Sequence, residues 1–344
     1  MSSSAGRRLR ILLTEDSPLM AEVLTELLQA DGDIEVVGVA GDGRQAVRAN
    51  RTLEPDLVVL DLQLPVMDGL TALDHMLVER PVPVLVVTGT SRGKRASVAL
   101  DALRRGALDL LVKPEAWSDL AAKQLRTRVR TLARVRVRRR GSVEATPIAP
   151  ARVGRWRGPP VLGIGCSTGG PPALAEVLGA LPADWPVPVL VVQHIQAGFD
   201  VTLASWLNDA VDLPVGLAEG GVPLRPGAWL APVGHHLRVD GSGRTTVTEG
   251  PAVDGHRPSA TVLFRSLAEH VGDAAMGVVL TGMGSDGANG LLALREAGGH
   301  TVAESESTAV VYGMPRAAVE VGAARRVLAL PRIGADALAW GRRR

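Results

Sequence analysis

Apolar segments with the length of β-strands alternate with helix-like segments along the first third of this chain. Five of them occur there: ILLT at 11–14, IEVVGVA at 34–40, DLVVLDL at 56–62, PVLVVT at 83–88 and ALDLLV at 107–112. Strands separated by helical crossovers pair in parallel, and the helices then cover both faces of the sheet. The alternation therefore predicts a five-stranded, parallel, doubly wound α/β domain.

The alternation returns in the second half of the chain. Apolar segments at 161–165, 188–193 and 276–280 have the length and composition of buried strands. They predict a second doubly wound α/β domain. Residues 216–250 lack the pattern and predict instead short strands and turns, which add an antiparallel hairpin to this domain.

The segment between the two predicted domains is strongly basic. Residues 121–157 hold 12 Lys and Arg but only one Asp or Glu, and their second half is rich in Pro, Gly and Ala. Helical spacing persists to Leu132 and then fails, which is typical of a helix that runs into a tether. Binding to nucleic acid or to an anionic surface is the alternative interpretation of the charge. We predict a first domain over 9–126, a linker over 127–157 and a second domain over 158–344, with no nucleic-acid partner.

The composition excludes several classes of protein. Apolar runs stay well short of the ~20 residues that a membrane span needs, so we expect no membrane insertion. The N-terminal sequence MSSSAGRRLR has no apolar signal-peptide core, and the single Cys allows no internal disulfide. These features predict a cytoplasmic location.

Polar residues follow or end four of the five strands of the first domain, where parallel sheets bind ligands. They are Glu15, Asp16, Asp61, Thr88 and Lys113. Carboxylates that meet at one edge repel each other unless a cation neutralises them, and hard oxygen ligands favour Mg²⁺. The hydroxyl and the ammonium are suited to hold a phosphoryl group on Asp61. The alternative is that the acidic residues only cap the following helices.

This region resembles the receiver domain of two-component response regulators, through the motifs TEDSPL, DLQLPVMDG, VVTGT and LVKP. The resemblance implies that a histidine kinase phosphorylates Asp61 and that Mg²⁺ binds Glu15, Asp16 and Asp61. It also implies that Thr88 and Lys113 contact the phosphoryl group. Leu110 departs from the family, because receivers usually carry an aromatic switch residue there.

A serine between glycines marks the second domain. Residues 165–169 satisfy G-x-S-x-G, the pattern of a nucleophile on a sharp strand-to-helix turn. His194 and Asp286 follow two other predicted strands, and the three side chains fit a Ser167-His194-Asp286 triad. Backbone amides around Met283 and Gly284 are candidates for an oxyanion hole.

Two other interpretations of the glycine-rich segment stay open. Gly163 and Gly165 with Gly169 and Gly170 nearly match the dinucleotide fingerprint, but the third glycine is displaced by one position. Cys166 is an alternative nucleophile. Neighbouring residues at a strand end point to opposite faces, however, so only one of Cys166 and Ser167 can meet the histidine.

Residues 158–333 resemble the catalytic domain of chemotaxis protein-glutamate methylesterases, which also act as protein-glutamine deamidases. The matching stretches include IGCSTGGPPAL, VVQHIQAGF, HRPSATVLFRS and VVLTGMGSDGANG. The resemblance implies the same triad, methyl-accepting chemotaxis receptors as substrates and no metal in the hydrolytic step. It also implies that phosphorylation moves a receiver that covers the active-site face. His256 and Arg257 are expected to line the substrate cleft.

Two rival functions are consistent with the sequence. One is a serine hydrolase of the same architecture that acts on a different ester or amide. The other is a regulatory binding protein in which a receiver is joined to a catalytically silent domain. An intact Ser167-His194-Asp286 set favours the hydrolases over the silent domain.

Overall fold

A computed structural model describes residues 7–89, 93–135, 156 and 158–344 of the chain. The chain divides into two compact units, Met1–Arg139 and Arg140–Arg344. Most of the predicted linker, residues 136–155 and 157, lies outside the described residues. Within the described part, no helix combines the length and the apolar content that crossing a bilayer requires.

The N-terminal unit contains the predicted five-stranded parallel sheet, in the order β2-β1-β3-β4-β5. Its strands are β1 (Leu9–Thr14), β2 (Ile34–Ala40), β3 (Leu57–Asp61), β4 (Val84–Thr88) and β5 (Asp109–Val112). Its helices are α1 (Pro18–Gln29), α2 (Gly43–Leu53), α3 (Gly69–Glu79), α4 (Gly93–Arg105) and α5 (Asp119–Leu132). The central strands β3 and β4 are buried along their whole length.

Side-chain caps fix where four of these helices begin. The residues before α1, α2, α3 and α5 each accept a hydrogen bond from a backbone N–H in the first turn, and they are Ser17, Asp42, Asp68 and Ser118. Such a cap satisfies one of the N–H groups that the helix leaves unpaired. The last helix, α5, continues six residues beyond the predicted domain end at 126, because Val129 and Leu132 still bury their side chains.

The C-terminal unit contains a seven-stranded sheet in the order β14-β13-β12-β6-β7-β9-β8, and all its pairs are parallel. Its strands are β6 (Val161–Cys166), β7 (Val189–Gln193), β8 (Val215–Leu217), β9 (Ala228–Leu230), β12 (Ala275–Val279), β13 (His300–Glu304) and β14 (Arg326–Leu328). Its helices are α6 (Gly170–Gly179), α7 (Phe199–Ala210), α8 (Ala260–His270), α9 (Ala288–Glu296), α10 (Met314–Glu320) and α11 (Leu330–Gly341). The predicted fold class is confirmed.

The antiparallel part of this unit is smaller than the sequence indicated. Among the described residues of 216–250, β10 (His236–Val239) and β11 (Thr245–Thr248) form the predicted antiparallel hairpin. Strand β9 and the end of β8 belong instead to the parallel main sheet. Strand β9 buries Ala228 and Leu230 between β7 and β8, so three residues suffice to extend the sheet. A strand this short gives no periodic signal in the sequence.

Glycines allow the helices α8 and α9 to approach the sheet and each other closely. A Cβ on Gly165 in β6 would lie 2.6 Å from the Ala260 side chain in α8. A Cβ on Gly290 in α9 would lie 2.5 Å from the carbonyl oxygen of Thr261 in α8. Real Cβ atoms do not approach this closely, so both positions require glycine for packing rather than for backbone conformation.

We predict that Gly290→Ala destabilises the C-terminal unit by ~1–3 kcal/mol, because the new methyl group meets backbone atoms that cannot rotate away. Gly179→Ala is the matched control, since a Cβ there would meet only a side-chain carbon of Val211, at 3.7 Å. Ala normally favours a helix over Gly by about 0.5–1 kcal/mol, so the control is expected to be neutral or stabilising. Thermal unfolding followed by tryptophan fluorescence measures both; equal stability of the two variants would contradict the packing argument.

Candidate active site

The carboxyl ends of β6 and β7 bring Ser167 and His194 side by side. Cys166 at the end of β6 pairs with Gln193 at the end of β7, so the next residue of each strand continues the same register. The backbone N–H of His194 donates to the carbonyl of Cys166 at 3.0 Å, and the N–H of Ser167 donates to the carbonyl of Thr281 at 3.0 Å. The sheet therefore determines the positions of both residues.

Asp286 does not follow a strand directly, contrary to the prediction. Strand β12 ends at Val279, and Asp286 lies in the glycine-rich loop between β12 and α9. Its carboxylate accepts four hydrogen bonds. The donors are His194 Nε2 at 2.9 Å, Ser259 Oγ at 2.7 Å, Ala260 N at 2.6 Å and Thr261 N at 3.0 Å. Two of these donors are the first N–H groups of α8, and a helix N-terminus stabilises an anion.

Asp286 is ionised although its side chain is only 1% exposed. Burial alone raises the pKa of a carboxyl group. Here the hydrogen bond and the charge of His194, together with the Ser259 hydroxyl and the Thr261 N–H, outweigh burial and hold the pKa of Asp286 well below its ordinary value. The site therefore contains a permanent negative charge at neutral pH.

The carboxylate determines the tautomer of the neutral His194 ring. A carboxylate only accepts hydrogen bonds, so the nitrogen that faces it, Nε2, carries the proton in the neutral ring. Nδ1 is then the acceptor. It is buried and has no hydrogen-bond partner among the described residues. Leaving a buried nitrogen without a hydrogen-bond partner costs free energy. Such a nitrogen is typical of a site where it binds a substrate or accepts a proton during the reaction.

The expected hydrogen bond between Ser167 and His194 is absent from the described contacts, since Nδ1 has no partner there. The two residues are neighbours across β6 and β7 nonetheless. In sites without substrate the bond between nucleophile and base is often long and tightens when the substrate binds.

His256 covers one face of the His194 ring. The two imidazoles stack with their centroids 3.9 Å apart and their planes 1° from parallel. Burial lowers the pKa of His256, and the neighbouring His194 lowers it further, so the His256 ring is neutral at neutral pH. Arg257 is exposed, and its guanidinium donates to the carbonyls of Glu249 and Gly250. The cleft role of the two residues stays a prediction.

The loop after β12 passes directly beside Ser167. A Cβ on Gly282 would lie 2.7 Å from Ser167 Cβ and 2.4 Å from Met314 Sδ, so this close passage requires glycine. Met283 is half-buried, and Gly284 is exposed with φ +84°. Their role as an oxyanion hole stays a prediction.

Cys166 is buried on the opposite side of the strand from Ser167. Its side chain is 0% exposed, and its thiol donates to Gln193 Oε1 at 3.0 Å. Burial raises the pKa of the thiol, and the charge of Glu304 raises it further. A neutral buried thiol is a poor nucleophile, so the structure favours Ser167 over Cys166.

Two residues that matter here were missed by sequence reasoning. Ser259 donates to Asp286, and nothing in the sequence distinguishes it from an ordinary helix cap, a role it also has for α8. Gln193 contacts the backbone of both Ser167 and His194. Its position immediately before His194, at the end of an apolar strand, was a signal that could have drawn attention to it.

The edge of the N-terminal sheet also gathers polar residues. Asp61 and Thr88 end β3 and β4, and Glu15 and Lys113 directly follow β1 and β5. Lys113 Nζ lies 2.5 Å from Glu15 Oε2 and 2.5 Å from Asp61 Oδ2. Burial lowers the pKa of Lys113, but the hydrogen bonds and charges of Asp61 and then Glu15 outweigh it, so the pKa is raised. The ammonium is a stable part of this edge.

The predicted magnesium ligands are only partly assembled. No three His, Cys, Asp or Glu side chains in the described part of the chain are grouped closely enough to hold a metal ion. Glu15 and Asp61 are buried against Lys113, whereas Asp16 is exposed. Lys113 pairs with two of the three predicted ligands in this structure, and the magnesium site stays a prediction. The oxygen donors of Glu15, Asp61 and the adjacent Asp16 still have the chemistry that Mg²⁺ requires.

Leu110, which stands where the resemblance to receivers predicts an aromatic switch residue, is buried in β5 at 4% exposure. The neighbouring guanidinium of Arg128 donates to the Leu110 carbonyl at 2.8 Å. A buried aliphatic side chain has no hydroxyl or ring edge to exchange between two environments. This position thus differs from the family pattern in chemistry as well as in identity.

Comparisons with known proteins identify the two units. The family model described as CheB methylesterase matches residues 162–337, and the one described as response regulator receiver domain matches residues 11–124. The crystal structure of the Thermotoga maritima CheB methylesterase catalytic domain is similar to this chain with a TM-score of 0.50 and 34% identity. The similar region covers 52% of this chain and 96% of the Thermotoga maritima domain.

Similarity also extends over the complete chain. "Protein-glutamate methylesterase/protein-glutamine glutaminase 4" of Myxococcus xanthus is 45% identical over 334 residues, which are 94% of either chain. "Protein-glutamate methylesterase/protein-glutamine glutaminase 2" of Anaeromyxobacter dehalogenans is 45% identical over 339 residues, 97% of either chain. Both resemblances seen in the sequence are confirmed. The chain belongs to the protein-glutamate methylesterase/protein-glutamine glutaminase family of enzymes, with a response-regulator receiver domain before the CheB methylesterase domain.

Proposed function

We propose that this protein removes methyl groups from glutamate methyl esters of methyl-accepting chemotaxis receptors and deamidates particular receptor glutamines, in the cytoplasm. One observation carries the proposal. His194 Nε2 is fixed by Asp286 at 2.9 Å, which leaves Nδ1 buried and without a hydrogen-bond partner among the described residues, and His194 follows β7 as Ser167 follows the adjacent strand β6. In this arrangement Nδ1 can accept the proton of the serine hydroxyl, as the base of a serine hydrolase does. The names of two full-length relatives, protein-glutamate methylesterase/protein-glutamine glutaminase, support glutamate methyl esters and glutamines as the substrate groups.

In the first half-reaction, Ser167 Oγ attacks the ester carbonyl carbon and its proton passes to His194 Nδ1. The charge of the resulting imidazolium is stabilised by Asp286. Collapse of the tetrahedral intermediate breaks the bond to the methoxy oxygen, which takes the proton from Nδ1 and leaves as methanol. The product is an acyl ester on Ser167.

In the second half-reaction, water attacks the acyl ester while Nδ1 accepts a water proton. Collapse returns that proton to Ser167 Oγ and releases the glutamate side chain. For a glutamine substrate the same imidazolium protonates the leaving nitrogen, so ammonia leaves in place of methanol. We assign the developing oxyanion to backbone amides near Met283 and Gly284, and the substrate cleft to His256 and Arg257.

For the receiver, we propose that a chemotaxis-type histidine kinase phosphorylates Asp61 and that this raises the hydrolase activity. Glu15, Asp16 and Asp61 would hold the Mg²⁺ that phosphoryl transfer needs, and Thr88 and Lys113 would contact the phosphoryl oxygens. The ion pair between Lys113 and Asp61 supports the proposal. An ammonium that already binds the carboxylate is close enough to bind the oxygens of a phosphoryl group attached to it. The hydrolytic step uses no metal.

We predict that Ser167→Ala lowers methanol release from methylated receptor membranes by ~10⁴-fold or more, because the nucleophile of the triad is lost. Ser205→Ala is the matched control; this serine is exposed on α7. Methanol release by the Ser167 variant at the rate of the control would contradict the assignment. Hydrolysis of small esters by the wild type without release of methanol from receptors would favour a different hydrolase.

Asp286→Asn is expected to lower kcat by about 10⁴-fold with little change in KM. The amide can donate to Nε2, which moves the ring proton to Nδ1 and removes the base. Because the pKa of Asp286 is far below neutral, we also expect the wild-type pH profile to show no loss of activity from protonation of Asp286 above pH ~5. Steady-state kinetics from pH 5 to 9 test both statements, and an Asn variant with wild-type kcat would refute the role of the carboxylate.

Asp61→Asn should abolish stimulation by a small-molecule phosphodonor while leaving the basal rate of methanol release in place. The amide cannot accept a phosphoryl group. Asp74→Asn provides a control, because Asp74 is a half-exposed partner of Arg105 on α3. If the phosphodonor stimulates the Asp61 variant as strongly as the control, another acceptor is responsible and the proposal is wrong.

A further inference from the structure

The side chain of Gln193 joins the two strand ends that carry the nucleophile and the base. Gln193 ends β7 and is 5% exposed. Its Nε2 donates to the carbonyl of Ser167 at 2.8 Å and to the carbonyl of His194 at 2.8 Å. Its Oε1 accepts from the Cys166 thiol at 3.0 Å. Both N–H hydrogens and the oxygen of the amide are thus hydrogen-bonded to groups at the ends of β6 and β7.

The position of these bonds gives them their importance. Ladder pairing between β6 and β7 ends at Cys166 and Gln193, so Ser167 and His194 lie just beyond the last pair. The Gln193 amide links the two strands beyond this last pair, because its single nitrogen donates to the carbonyls of both Ser167 and His194. A reversed amide would place Oε1 against two carbonyl oxygens, which repel it, so the orientation is fixed by the chemistry of its partners.

The space for this amide exists because residue 170 is glycine. A Cβ on Gly170 would lie 1.9 Å from Gln193 Oε1. Gly170 also donates its backbone N–H to the Ser167 carbonyl at 2.8 Å, so both bonds converge on one oxygen. The second glycine of the GG pair after Ser167 is therefore required by the Gln193 side chain.

We propose that Gln193 is a positioning residue for the hydrolytic reaction: its carboxamide fixes the separation of Ser167 and His194 so that Oγ can reach Nδ1. The inference rests on the proposed function, because it concerns the same serine and histidine. Small displacements of reacting groups are costly, and about 1 Å can reduce the rate by ~10²-fold.

Gln193→Met tests the proposal, because methionine retains length and volume but donates no hydrogen bond. We expect kcat for methanol release to fall by ~10–100-fold with KM nearly unchanged. The rate at which a fluorophosphonate labels Ser167 should fall in parallel. Cys166→Ala removes the bond to Oε1 and a longer thiol contact with the Val192 carbonyl but leaves both bonds of Gln193 Nε2 in place, so it should cause a smaller loss. Gln124→Met, at an exposed position of α5, is the control for the chemical change.

A double-mutant cycle provides a second, independent test. Gly170→Ala is expected to slow labelling of Ser167 as Gln193→Met does, because the new methyl group displaces the amide. In a Gln193→Ala background the methyl group has room, so Gly170→Ala should cost much less there. Additive effects of the two substitutions would show that they act separately.

The labelling assay separates this proposal from the proposed function. Labelling of wild-type Ser167 without methanol release would overturn the substrate assignment and leave the positioning test intact. Unchanged labelling and kcat in Gln193→Met, with or without a lower melting temperature, would overturn the positioning role. A lower melting temperature alone would mean that Gln193 only stabilises the fold.

Discussion

The hydrogen bond between Asp286 and His194 is the interaction on which the arrangement of the candidate active site depends. It joins a buried carboxylate to Nε2 at 2.9 Å and thereby makes Nδ1 the acceptor nitrogen of the neutral ring, the nitrogen that we propose as the base. Burying a carboxylate is expensive unless its oxygens are fully bonded. Ser259 and the first turn of α8 supply the remaining donors. The cost of burial is thus offset by groups that also hold the carboxylate in one orientation.

The close approaches around this bond explain why so many positions near it are glycine. Gly165 lets α8 lie against β6, and Gly282 lets the loop that leads to Asp286 pass the nucleophile. Gly170 leaves room for the amide of Gln193. Each of these glycines serves a different contact. A side chain at any of them would separate elements whose distance sets the geometry of the catalytic residues.

Much of the fold and part of the site could be predicted from the sequence. Alternation of apolar and helical segments predicted both parallel sheets, and the ends of β6 and β7 then located Ser167 and His194. Strands β8 and β9 are too short to leave a periodic signal. Contacts such as the stack of His256 on His194 arise between distant loops, and no local pattern predicts them. The sequence predicted a charged Lys113 at this edge of the sheet. Its pairing with Glu15 and Asp61 could not be predicted, because the three residues come together only when the chain folds.

The most direct test of the account is the protonation state of the two ring nitrogens of His194 at neutral pH. Nitrogen NMR of the ¹⁵N-histidine-labelled protein measures it, with the His194 signals assigned by comparison with His194→Gln. We predict a protonated Nε2 and an unprotonated Nδ1 in the wild type, and the reverse in Asp286→Asn. A proton on Nδ1 in the wild type would mean that the base faces away from Ser167, and the assignment of the catalytic residues would fail.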